Sequence, residues 1–177
     1  MQRTLSDMKD KTLVIGLGNP ILADDAAGIW VAREIVNREG LLPNVDVVEA
    51  CASGLDLLDL MEGYKSVIIA DAIKTAETKI GAIYELTLEE LGDISYSGNH
   101  QDLNLRTTID LGHRLGYAMP EQIAIYGIGI VDNYTYSEKL SKEVKEAVQV
   151  LAARIIETLA ENAGEHLKSV VNLSRLW

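Results

Sequence analysis

Cysteine occurs once in the 177 residues, at Cys51. A single thiol excludes an internal disulfide and any paired-cysteine metal or redox motif. Because Cys51 follows an apolar, strand-like run, it is expected to be a buried structural thiol. Positive charge is also scarce: 16 Lys and Arg face 27 Asp and Glu, for a formal net charge of −11. No Lys/Arg cluster occurs along the chain, which argues against a nucleic-acid partner. Long apolar runs are missing too. None approaches the roughly 18–20 residues needed to cross a bilayer, and the opening MQRTLSDMKDK has no signal-peptide core. The chain is therefore expected to be soluble and cytoplasmic, with no membrane partner. Repeats, low-complexity tracts and linkers are absent, so a single domain is expected over residues 1–177, with 1–11 and 165–177 as tails.

What is present is an ordinary globular composition, 47% hydrophobic and 24% charged, long enough to bury one core. The chain is organised around residues 12–28, TLVIGLGNPILADDAAG. Leu13-Val14-Ile15-Gly16 reads as a short buried strand stopped by glycine. Gly16-Leu17-Gly18-Asn19-Pro20 forms a tight turn, since Gly and Asn tolerate positive φ and Pro presets a bend. Asp24 and Asp25 follow, then a helix with apolar positions at Ile29, Ala32, Ile35 and Val36. A dinucleotide site is disfavoured here. Ile21 stands where the third glycine of that fingerprint belongs, and two carboxylates occupy the place of the pyrophosphate. Glu49, at the end of the second strand, imitates a ribose-binding acid but is weak evidence alone. Capping of the following helix would account for one of the two aspartates better than for both.

In chain order, the first helix runs to about Glu39, with Gly40 as its stop. Val45 to Glu49 reads as strand two. A short helix opens at Ser53-Gly54, with Leu55, Leu58 and Met61 on one face. Ser66 to Ala70 is an apolar third strand ending on Asp71, and Ile80 to Thr87 is strand four. The loop GDISYSGNH leads into a helix from about Gln101 to Leu115. Ile123 to Ile130 is strand five. Ser137 begins the longest helix, with Leu140, Val144, Val148, Leu151, Ile155 and Leu159 at helical spacing and Asn162-Ala163-Gly164 closing it. Strands alternating with helices in this way predict an α/β domain: three layers, a mostly parallel five-stranded sheet, helices on both faces.

On that frame Asp25 lies beyond the carboxyl end of strand one, Asp71 at the carboxyl end of strand three, and His100 in a loop before a helix. Functional crevices of open α/β sheets lie outside those strand ends. An aspartate closing an apolar run must face water, a partner or a ligand, because a buried unpaired carboxylate is costly; capping the next turn is the bland alternative for Asp71. Two carboxylates and one imidazole suit a borderline divalent metal such as zinc or nickel, with positions left open. His113, inside a helix, and His166, near the end of the chain, fit such a site less well.

Four segments in register resemble the hydrogenase maturation endopeptidases, which trim the C-terminus of [NiFe] hydrogenase large subunits. They are LVIGLGNPILADDAAG, the Ala-Ser-Gly-Leu-Asp-Leu-Leu segment from Ala52, VIIADAI from Val67 and SGNHQDL from Ser97. Strand five, IAIYGIGI, with its loop and long final helix, agrees as well, so the resemblance spans about residues 12–160. Two departures stand out: Ala26 where many members have glycine, and Thr78-Lys79-Ile80-Gly81 in place of a Pro-Gly turn before strand four. Neither touches the candidate ligands.

The resemblance implies an endopeptidase acting on a hydrogenase large-subunit precursor after nickel insertion. Asp25, Asp71 and His100 would form both its catalytic and its metal-contacting set. The nickel would be carried by the substrate, with no tightly bound cofactor in the free protein. Two other classes are compatible with parts of the sequence. A nickel-sensing or metal-delivery protein could use the same ligands. Peptidyl-tRNA hydrolases also begin with a strand and Gly-Leu-Gly-Asn-Pro, but their Thr-Arg-His-Asn stretch is replaced here by Ala-Asp-Asp-Ala-Ala, and the net charge opposes a tRNA partner.

Overall fold

The computed structural model describes residues 10–39, 44–51, 54–74, 77–88, 90, 105–131 and 135–173, with side chains to residue 161. Ten elements follow in order: β1 (Thr12–Leu17), a 3-10 turn (Ala23–Ala26), α1 (Ala27–Glu39), β2 (Val45–Ala50), α2 (Leu55–Met61), β3 (Ser66–Ile73), β4 (Ile83–Leu86), α3 (Leu105–Leu115), β5 (Gln122–Gly129) and α4 (Lys142–Leu173). The sheet order is β2-β1-β3-β5-β4, with β4 antiparallel to β5 and every other pair parallel. The expected α/β architecture with helices on both faces is what forms.

Alternation along the strands explains the two faces. Val14, Ile68, Ala70, Tyr126 and Ile128 meet Ala27, Val31 and Ile35 of α1 and Val144, Val148, Leu151 and Ile155 of α4. Leu13, Ile15, Val67, Ile69 and Ile125 meet Leu57, Leu58 and Met61 of α2 and Leu105 and Ile109 of α3. Central strands buried on both faces must be apolar at nearly every position, which is why they read as continuous runs.

Several boundaries differ from expectation. β3 runs on to Ile73 rather than ending at Asp71, because β5 continues to pair with it through Gly129. β4 is confined to Ile83–Leu86, where it pairs antiparallel with Ile125 to Ile128 of β5. α4 continues through Asn162-Ala163-Gly164 to Leu173 rather than closing there; one glycine costs a helix only about 1 kcal/mol, too little to stop it unaided. Leu55 is 53% exposed while Leu57 is buried, and Val36 is 42% exposed on the outer side of α1. Cys51 is exposed rather than buried, because β2 ends at Ala50 and the chain leaves the sheet there. Gly40, Ala52 and Ser53 lie outside the described residues. No described helix is long and apolar enough to cross a membrane.

Candidate active site

The sheet order reverses at β1. The chain passes from β1 outward to β2, then returns to place β3 on the other side of β1. A crevice opens at such a switch point, outside the carboxyl ends of the two strands. β1 and β3 pair up to Gly16 opposite Ala70, so Asp71 is the first residue of β3 beyond that ladder. It is still in register with Gly127 of β5. Asp71 is thus held by β5 on one side and lies just past the end of the β1 ladder on the other.

Asp25 reaches the same place from the turn after β1. Gly18 has φ +146°, and a β-carbon there would lie 2.1 Å from the Asp25 carbonyl oxygen, so only glycine lets the turn fold back this tightly. The Asn19 backbone N–H donates to Asp25 Oδ2 at 3.1 Å, and Asn19 Oδ1 accepts the Ile21 N–H at 3.2 Å. The turn 23–26 begins at Leu22 with no side-chain cap. Asp24 points elsewhere: it is 7% exposed, and its Oδ1 accepts the Ser141 N–H at 2.6 Å, just before α4. The two adjacent acids therefore have separate partners, the Asn19 N–H for Asp25 and the Ser141 N–H for Asp24.

The electrostatics of the pair follow from burial. Desolvation pushes the Asp71 carboxyl up to about 7, against the Ala72 N–H that donates to its Oδ1 at 2.7 Å and tends to lower it, while the nearby Asp25 charge raises it further. Asp25 is likewise raised by burial, partly offset by the Asn19 N–H. Among the described residues, no lysine or arginine forms an ion pair with either carboxylate. Glu49, the imitation ribose acid, is taken up by Arg33 through two bonds of 3.0 and 2.8 Å.

His100, the third candidate ligand, lies outside the described residues. Among those described, no group of three or more His, Cys, Asp or Glu forms a metal cluster. The described part of the site is the Asp25–Asp71 pair: hard oxygen donors, crowded and undercompensated, suited to a divalent cation that brings further ligands. His113 is exposed on α3, away from any such role. Sequence reasoning did not single out Ser141 as a partner of Asp24, nor Gly28. A β-carbon at Gly28 would lie 2.1 Å from the Ala70 carbonyl oxygen and 2.3 Å from that of Leu17. This is the close helix–strand approach for which the dinucleotide fingerprint reserves a glycine, moved here into the first turn of α1.

Comparison with known proteins finds relatives in sequence and in fold. Residues 29–158 match the family model for hydrogenase maturation proteases, an interval that includes Asp71 and His100 and begins just after Asp25. The hydrogenase 2 maturation protease of Escherichia coli K12 is 32% identical over 81 residues, 46% of this chain and 49% of its own length. The chain thus aligns with about half the length of that curated relative. The solved hydrogenase maturating endopeptidase HybD of E. coli superimposes with a TM-score of 0.73 at 24% identity, over 86% of this chain and 93% of its own. The [NiFe] hydrogenase maturation protease HybD of Thermococcus kodakarensis gives 0.59 at 28% identity, over 85% and 99%.

Proposed function

This chain belongs to the hydrogenase maturation protease family, and on that premise we propose that it is an endopeptidase removing the C-terminal extension of a [NiFe] hydrogenase large-subunit precursor once nickel has been inserted. The observation that carries the proposal is the acid pair at the switch point. Burial raises the proton affinity of Asp71 and Asp25, the Asp25 charge raises that of Asp71 further, and no described cation relieves them. Such a pair gains most from a cation delivered with the substrate.

In this reading Asp25, Asp71 and His100 are the protease's contribution to the coordination of the precursor's nickel. An incomplete ligand set holds a metal weakly alone and strongly when the precursor supplies the rest, so recognition requires the loaded substrate. The substrate's metal can act as a Lewis acid on the scissile carbonyl or lower the pKa of a water, effects worth several kcal/mol. The chain's own part is to orient: the Asn19 N–H fixes one oxygen of Asp25, and the Ala72 N–H fixes one of Asp71.

Matched precursors with and without nickel test the proposal in a cleavage assay. The loaded precursor is cut near its C-terminus and the nickel-free one is not. Equal cleavage of both overturns nickel recognition and leaves the protease assignment standing; cleavage of neither overturns both.

A further inference from the structure

Asp24 is buried beside the site and has no part in the acid pair. Its carboxylate reaches the N-terminus of a helix 117 residues later in the chain. Ser141 immediately precedes α4, and a carboxylate at that position satisfies a backbone donor left open at the helix start and opposes the positive end of the helix dipole. α4 is deeply anchored: Val144, Val148, Leu151 and Ile155 are all at most 2% exposed.

The same region makes further bonds to the acid turn. The Ser137 N–H donates to the Ile21 carbonyl at 3.0 Å, the Ala23 N–H donates to the Ser137 carbonyl at 2.7 Å, and Leu22 and Ser137 form a parallel bridge. A closed circuit results. Asp25 is held by Asn19, Asn19 by Ile21, Ile21 by Ser137, Ser137 by Ala23, and Asp24, adjoining both Ala23 and Asp25, is fastened to Ser141. Ala23 sits at φ +35°, an unfavourable conformation for a residue with a β-carbon, so the turn does not hold its shape by local preference.

We propose that Asp24 is a positioning residue: through Ser141 it fastens the acid turn to α4 and so fixes where Asp25 presents its carboxylate. This rests on the reading of Asp25 as a site residue. Asp24 does not touch the substrate, and its effect is transmitted through the backbone it shares with Asp25.

The test uses the full chain with Asp24→Ala, Asp24→Asn and Ser141→Pro, compared well below each variant's melting temperature. Two readouts are needed, cleavage of the nickel-loaded precursor and the NMR shift of the Asn19 amide proton, which reports its bond to Asp25 without any substrate. Asp24→Ala is expected to lower kcat/KM by about tenfold or more, as small misplacements of reacting groups do, and to move the Asn19 amide resonance. Asp24→Asn, which keeps an acceptor oxygen for Ser141, restores both. A folded Asp24→Ala with wild-type cleavage and an unmoved Asn19 resonance overturns the proposal. If Asp24→Ala does not fold, Ser141→Pro removes the N–H that Asp24 accepts, and an unmoved Asn19 resonance there overturns it equally. Failure of the wild type to cleave the precursor counts against the protease reading alone, since the Asn19 signal needs no substrate.

Discussion

Gly28 of α1 lies against Ala70 of β3 so closely that a β-carbon on it would sit 2.1 Å from the Ala70 carbonyl oxygen. This contact sets the site. Asp25 precedes Gly28 by three residues and Asp71 follows Ala70 directly, so the glycine that lets helix and strand touch also brings Asp25 close enough for its charge to act on Asp71. Gly28→Ala has no flexible neighbour to displace, because both close atoms are backbone oxygens. It is expected to destabilise the protein by about 1–3 kcal/mol, as overpacking does, read as a lower denaturant midpoint. An unchanged midpoint would show that α1 can shift outward freely.

The raised proton affinity of Asp71 makes a signed prediction. Its folded carboxyl titrates near 7, above the ordinary 3.8, so between those values the folded state holds a proton that the unfolded state has lost. By linkage, this group's contribution to stability falls as pH rises from about 4 to about 7 and is flat above. Asp71→Asn removes the charge while keeping the shape. It should be more stable than wild type at pH 8, by about 1–3 kcal/mol after discounting for partial exposure, and lose the advantage near pH 4. A variant less stable than wild type at both pH values would contradict the burial argument.

Ligand function and stability should separate. Asp25→Ala, Asp71→Ala and His100→Ala are each expected to abolish processing of a nickel-loaded precursor while leaving a cooperative unfolding transition, since groups facing a crevice are not core-packing groups. A sharp loss of melting temperature in one of them would identify that residue as structural.

The free protein is expected to purify without stoichiometric metal, because an open set of two carboxylates and one histidine leaves much of a coordination shell unfilled. Elemental analysis after dialysis checks this. Nickel or zinc retained at one equivalent would mean that the metal belongs to the protease and not to its substrate.

Much of the molecule was determined by sequence alone. Buried strands and amphipathic helices are fixed by nearest neighbours and short periods, so β1, β3, β5, α1 and most of α4 were legible from apolar runs and helical spacing. The placement of Asp25 and Asp71 on the carboxyl side of a parallel sheet was legible because each follows or interrupts such a run. What only the tertiary structure decided depended on partners far along the chain. Asp24 and Asp25 are chemically identical neighbours, and only the arrival of Ser141 gives Asp24 a partner on α4's side that Asp25 lacks. β3 extends past Asp71 because β5 goes on pairing with it, and Leu55 faces out while Leu57 faces in because of where α2 settles on the sheet. Cys51 is exposed because the sheet ends one residue before it. Local pattern specifies which residues can be buried; which of them meet, and which are left facing solvent, is set by long-range packing that no short window of sequence contains.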